Sequence, residues 1–176
     1  FDPSWTPFNL SFGLTLSETT LLVFTGLSVA VAFRAGLFNI GTQGQLVVGA
    51  LATALTVLAL APLLPVGPLG GLVLVVAGTL AGAVGGGVWG AVPGALKAYA
   101  DANEVITTIM LNFVAANVAY VLVLEVFRAE GSSVVATEYV PEYARVTPWL
   151  FPGSSDFALV VLVAAAITAV LGVVVH

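Results

Sequence analysis

The sequence contains no cysteine, which excludes a disulfide framework and a thiolate metal site. It contains one histidine, His176, so a pair of histidine ligands or a histidine–carboxylate catalytic set within a helix is excluded as well. Lysine and arginine together number 4, too few for the basic face that a nucleic acid polymer requires. Charged residues of both signs make up 7% of 176 positions, against roughly 25% in a soluble domain. That deficit leaves almost no surface for water to wet. Neither the phosphate-binding pattern G-x-x-x-x-G-K-[ST] nor the nucleophile elbow G-x-S-x-G occurs, so this chain has no ATP-hydrolysing or acyl-transfer site of those kinds. The sequence opens at Phe1 without a methionine and stops inside an apolar run, and it reads as a piece of a longer chain.

What is present is hydrophobic sequence, 60% of all residues. A membrane-spanning helix needs about 20 consecutive apolar residues. The apolar runs predict an all-α, polytopic bundle with five spans at about 16–33, 40–61, 69–92, 105–127 and 157–175. An aromatic lead with Trp5, Phe8 and Phe12 precedes the first span and suits a membrane interface. PLLPVGP (62–68) reads as a stiff, short turn, and Trp89 and Pro93 are expected to mark the end of the third span. The one long polar segment is 128–156. With five spans, the amino terminus, the 62–68 turn and the 128–156 loop share one side of the membrane. Arg34, Lys97 and His176 share the other, and short-loop cations mark that side as cytoplasmic.

Three features interrupt this pattern. The stretch FRAGLFNIGTQGQLVVGA (33–50) places Gly36, Gly41 and Gly44 among polar residues between two apolar runs. It reads as a broken helix whose freed backbone groups must face protein or a watery cavity, since lipid cannot satisfy them. The alternative is a tight hairpin with its polar residues among lipid headgroups. In the third span, Gly78, Gly82, Gly86, Gly90 and Gly94 recur every fourth residue, which cuts a groove for a closely packed neighbour helix. In the fourth, about 100° of rotation per residue puts Glu104, Thr108 and Asn112 on one face with Ala115 and Ala119, and Asn117 roughly opposite. No Asp, Glu, Lys or Arg lies near the middle of a predicted span, which argues against an ion-driven carrier, although backbone carbonyls can hold Na⁺ without one. A neutral polar set suits a neutral, hydroxyl-rich solute. The competing view is that Thr108 and Asn112 only bond a neighbouring helix.

AFRAGLFNIGTQGQLVVGALA (32–52) together with LKAYADANEVITTIMLN (96–112) resembles the permease subunits of bacterial and archaeal ATP-binding-cassette importers for nucleosides and simple sugars. These belong with the ribose and branched-chain amino acid permeases, and the two motifs are most similar to the first of the two paired nucleoside permeases. The resemblance covers about residues 15–176. It implies a transport subunit in the cell membrane, not an enzyme, with no cofactor of its own. It also implies a second permease, an ATP-binding subunit carrying ATP and Mg²⁺, and an extracellular substrate-binding protein. The matching positions that it nominates for a substrate path are Asn39, Gln43, Glu104, Thr108 and Asn112. The family's ATPase-docking segment, of the form G-x-N-x-x-A-A-x-x-x-G-I, follows the span expected at 157–175 and is not contained in this sequence. The same architecture also serves branched-chain amino acids. A passive channel or ion-coupled carrier is the reading from another class.

Overall fold

The computed structural model describes residues 7–145, and among them every regular element is a helix. Helix α1 spans Pro7–Arg34, α2 Thr42–Leu60, α3 Pro68–Ala100 and α4 Glu104–Glu125, with single 3-10 turns at Ala61–Leu63 and Glu142–Ala144. The expected span at 157–175, and the loop beyond Arg145, lie outside the described residues. Three helical stretches among those described are long and apolar enough to cross a membrane: Thr42–Leu63, Pro68–Ala100 and Glu104–Glu125.

The chain divides into two compact units, and residues up to Val31 belong to the first. There α1 starts well before the span expected from about residue 16. Its hydroxyls bond their own helix: Thr15 Oγ1 donates to the Ser11 carbonyl at 2.8 Å and Thr25 Oγ1 to the Leu21 carbonyl at 2.9 Å. Such back-bonding spares an apolar environment an unpaired hydroxyl.

The second unit, Ala32–Arg145, holds α2, α3 and α4. Few hydrophobic side chains are buried: Val57, Leu74, Ala115 and Ala144. A membrane protein need not hide its apolar residues, and α3 shows how it sorts them. Leu72, Val76, Leu80, Val84 and Val88 are exposed along one face, while the glycine face turns to α2. A Cβ at Gly78 would stand 2.9 Å from Val57 Cγ2. At Gly82 it would collide with Thr53 Oγ1, at Gly86 it would meet the Gln45 carbonyl oxygen at 3.1 Å, and at Gly90 Gln45 Nε2 at 2.8 Å. Gly94 differs, since its nearest neighbour, Leu37 Cδ1, would be at an ordinary 3.8 Å. Gly49 of α2 answers with the Gly82 carbonyl at 3.0 Å, so the two backbones touch.

Pro93 does not end α3, contrary to the expectation from sequence; the helix continues to Ala100. Proline removes one N–H, so the Trp89 carbonyl loses its rung, a defect costing about 3 kcal/mol in an isolated helix. Spanning helices tolerate it because neighbours support the interrupted turn. Pro93 is buried, and Leu37 packs near Gly94 one residue later. The helix instead stops at Asp101, whose left-handed φ of 47° reverses the chain, and Asn103 caps α4 by accepting from the amides of Val105 and Ile106 at 3.0 and 3.2 Å.

The polar segment after α4 is not a free loop. Over 138–145 it folds onto the corner between α2 and α3. Tyr143 Oη donates to the Ala61 carbonyl at 3.3 Å, and its own carbonyl comes so close to Gly71 that no side chain fits there. Val57, Leu74 and Ala144 form the small core beneath it. The 62–68 turn and the 138–145 segment therefore lie at one end of this unit.

Candidate functional site

The opposite end of the same unit holds the break between α1 and α2. Gly36, at φ 73°, closes α1 with two reversed bonds: its N–H donates to the Phe33 carbonyl at 3.0 Å, and Leu37 N–H to the Ala32 carbonyl at 2.9 Å. This is the glycine cap that ends many helices. Residues 37–40 then run without helical bonds, with the Phe33 and Phe38 rings edge to face at 5.0 Å.

Four of the backbone groups in this interruption find side-chain partners in α4 or close by. Asn39 Oδ1 accepts from the Gly41 N–H at 2.7 Å, an Asx turn leading into α2. Thr108 Oγ1 donates to the Glu104 carbonyl at 2.7 Å and accepts a long bond from Ile40 N–H at 3.4 Å. Asn112 bonds twice: its Oδ1 accepts from Gly44 N–H at 2.8 Å, and its Nδ2 donates to the Ile40 carbonyl at 3.0 Å. Thr108 is 2% exposed and Ala115 1%, so the face predicted from the helical wheel does turn inward, toward the start of α2.

Between residues 37–39, the end of α3 and the start of α4 lies a cavity of about 90 Å³. Its lining includes Leu37, Phe38, Asn39, Pro93, Glu104 and Thr108. Three of the nominated positions, Asn39, Glu104 and Thr108, thus line one cavity from two places in the sequence, the helix break and the start of α4. Asn112 lies one turn further along α4 and grips backbone, while Gln43 is exposed and lines no part of the cavity. The glycine ladder contributes Gly90 and Gly94 to the far wall. Glu104 is also bridged by Lys97 at 3.4 Å, and Lys97 reaches Asp101 at the same distance, which holds three charges at the mouth of the α3–α4 turn.

Small-molecule pockets usually measure about 300–1,000 Å³. At 90 Å³ this cavity admits a few waters or one polar group, so it is a constriction rather than a chamber. Among the described residues, no group of three or more His, Cys, Asp or Glu side chains is placed to hold a metal ion. Sequence reasoning passed over Trp89, whose buried Nε1 lacks a hydrogen-bond partner, and Pro93, which lines the cavity. Pro93 was misread because a proline beside glycines signals a helix end, and nothing local shows the packing that carries the helix past it.

The chain is similar to several transport proteins. It is 40% identical over 107 residues to a glucose ABC transporter permease protein of Haloferax volcanii, covering 59% of this chain and 26% of the relative. It is 39% identical over 104 residues to a guanosine ABC transporter permease protein of Bacillus subtilis, covering 58% and 28%. It is 36% identical over 106 residues to a nucleoside ABC transporter permease protein of Lactococcus lactis subsp. cremoris, covering 59% and 27%. The matched stretch spans about a quarter of each of these relatives. No solved structure matches the chain significantly. The family model described as branched-chain amino acid transport system / permease component matches residues 11–175, nearly the whole sequence, and the chain belongs to that family.

Proposed function

We propose that this chain is part of the permease of an ATP-binding-cassette importer for nucleosides or simple sugars, and that the cavity at the helix break is a narrow section of its solute path. The observation that carries the reading is the convergence of Asn39, Glu104 and Thr108 on one cavity beside an interrupted helix. A carboxylate, an amide and a hydroxyl bind the ring and sugar hydroxyls of an uncharged solute without requiring it to carry charge. The relatives named for glucose, guanosine and nucleosides support the same solute class. In this reading a second permease completes the path, a separate ATPase supplies energy with ATP and Mg²⁺, and an extracellular binding protein delivers the solute.

The family's description favours a second reading, import of a branched-chain amino acid. A zwitterion needs both charges met, whereas no cationic residue lines the cavity to meet its carboxylate. The test is uptake by the whole transporter, with labelled uridine, guanosine, glucose, ribose and leucine each supplied alone. Uptake of a nucleoside or sugar, lowered at least about tenfold by Glu104→Gln with the amount of assembled complex unchanged, is the expected result. Uptake of leucine alone overturns it. Orientation is tested separately. The 128–145 segment faces outward in this reading, and Ser133 is exposed on it, whereas the Ser132 hydroxyl is engaged by Val134. Ser133→Cys reacts with an impermeant thiol reagent in intact cells; labelling only after lysis reverses the topology.

A further inference from the structure

In an uninterrupted α-helix the N–H of Gly44 would bond the carbonyl of Ile40, four residues back. Here those same two groups are held by one side chain: Asn112 Oδ1 takes the Gly44 N–H at 2.8 Å and Asn112 Nδ2 gives to the Ile40 carbonyl at 3.0 Å. A primary amide offers an acceptor and a donor side by side, and so can be inserted into a helical rung without leaving either end unpaired. The helix break is therefore maintained from α4 and not only by the glycines within it.

A second observation concerns what lies next to this insertion. Trp89 Nε1 is the one buried side-chain nitrogen or oxygen among the described residues without a hydrogen-bond partner. It stands 3.0 Å from the point where a Cβ on Gly44 would sit, and Asn112 Oδ1 stands 3.0 Å from that same point. The indole nitrogen and the amide oxygen are therefore no more than about 6 Å apart, and Gly44 places no side chain between them.

We infer that Asn112 is a two-position latch and that Trp89 is its second seat. In the inserted position the amide holds Ile40 and Gly44 apart, and the indole is unpaired. In the released position Gly44 N–H bonds the Ile40 carbonyl directly, Asn112 Oδ1 accepts from Trp89 Nε1 while its Nδ2 becomes the unpaired donor in place of the indole, and α2 gains one rung at its start. Each arrangement makes two hydrogen bonds among these four groups, so small forces decide between them. Winding residue 40 into α2 draws on 37–39, the segment that carries Leu37, Phe38 and Asn39 in the cavity wall. Asn112 and Trp89 are thus positioning residues for the solute path, a role that rests on the transport reading above.

The test uses the whole transporter in lipid nanodiscs, with a fluorinated tryptophan at position 89 and every other tryptophan replaced by phenylalanine. Fluorine NMR is expected to show two resonances whose ratio changes at least about threefold between nucleotide-free and vanadate-trapped complexes. Asn112→Leu collapses them to one. A single resonance indifferent to nucleotide, or a pair that Asn112→Leu leaves unaltered, overturns the latch. Trp89→Phe keeps one aromatic ring and removes the N–H together with the five-membered ring of the indole. It lowers uptake at least about threefold with the amount of complex unchanged, and undiminished uptake denies the latch its role in transport. If the wild-type transporter takes up neither nucleosides nor sugars, the functional reading fails while the resonances still decide the latch.

Discussion

Along α3, helix α2 is met by backbone; at its start, α4 meets it with side chains. On the first side, glycines at 78, 82, 86 and 90 present bare backbone, against which Val57, Thr53 and the Gln45 side chain are seated, and backbone faces backbone around Gly49, Gly82 and Gly86. On the second, Thr108 and Asn112 reach across to groups that a regular helix would have satisfied by itself. In lipid there is no hydrophobic force to hold helices together, so close van der Waals contact and hydrogen bonding are what remain. The unit uses each where the other is unsuitable. Continuous helix can be packed through glycine; interrupted helix must be bonded.

The contrast is sharpest where one side chain is added to the glycine seam. Gly86→Leu drives four carbons into the Gln45 carbonyl, and overpacking of that kind costs about 1–3 kcal/mol. Thermal denaturation of the purified permease is expected to fall by that amount, and assembled complex is lost. Val84→Leu, on the exposed face of the same helix, leaves both unchanged. Equal effects at the two positions would dissolve the distinction between faces.

A smaller loss is expected on the bonded side. Thr108→Val keeps the shape and deletes the hydroxyl, leaving the Ile40 N–H without its long bond. Interhelical bonds in membranes average about 0.6 kcal/mol, so stability should drop by about that amount. A loss as large as that of Gly86→Leu would show that α4 and α3 hold α2 by comparable means. The smallest effect belongs to Asn117→Leu. Asn117 is exposed and its amide bonds only the Phe113 carbonyl of its own helix at 2.8 Å, so stability and uptake should stay within about 0.5 kcal/mol and twofold of wild type. Lost transport in that variant would place a partner on the outer face of α4.

These two modes were unequally legible in the sequence. A groove made of missing side chains repeats, and the fourfold spacing from Gly78 to Gly90 is visible at once. Which helix fills it is not visible, because Gly49 and Thr53 look like ordinary members of an apolar run. The break was legible from Gly36, Gly41 and Gly44, and the inward face of α4 from the spacing of Glu104, Thr108 and Ala115. What Asn112 does could not be read from spacing. Its task depends on a carbonyl and an N–H some seventy positions away, and either a solute or a neighbouring backbone satisfies the same pattern. The fold of 138–145 over the α2–α3 corner left still less trace. It relies on Gly71 giving room to the Tyr143 carbonyl, while Gly70 makes room for the Pro65 carbonyl of the turn itself, and two glycines after a proline turn suggest only the turn.

A groove that repeats every four residues has no register of its own. Slide α3 past α2 by about 6 Å, four residues at 1.5 Å each, and a glycine of α3 again stands at each point of the groove. Thr53 is what distinguishes one setting from the next. Its hydroxyl donates to the Gly78 carbonyl at 2.9 Å, while its Oγ1 fills the space where Gly82 has no Cβ. One threonine therefore acts as the index mark on an otherwise uniform scale. It fixes the height of α2 along α3, and with it the level on α3 at which the broken segment is held.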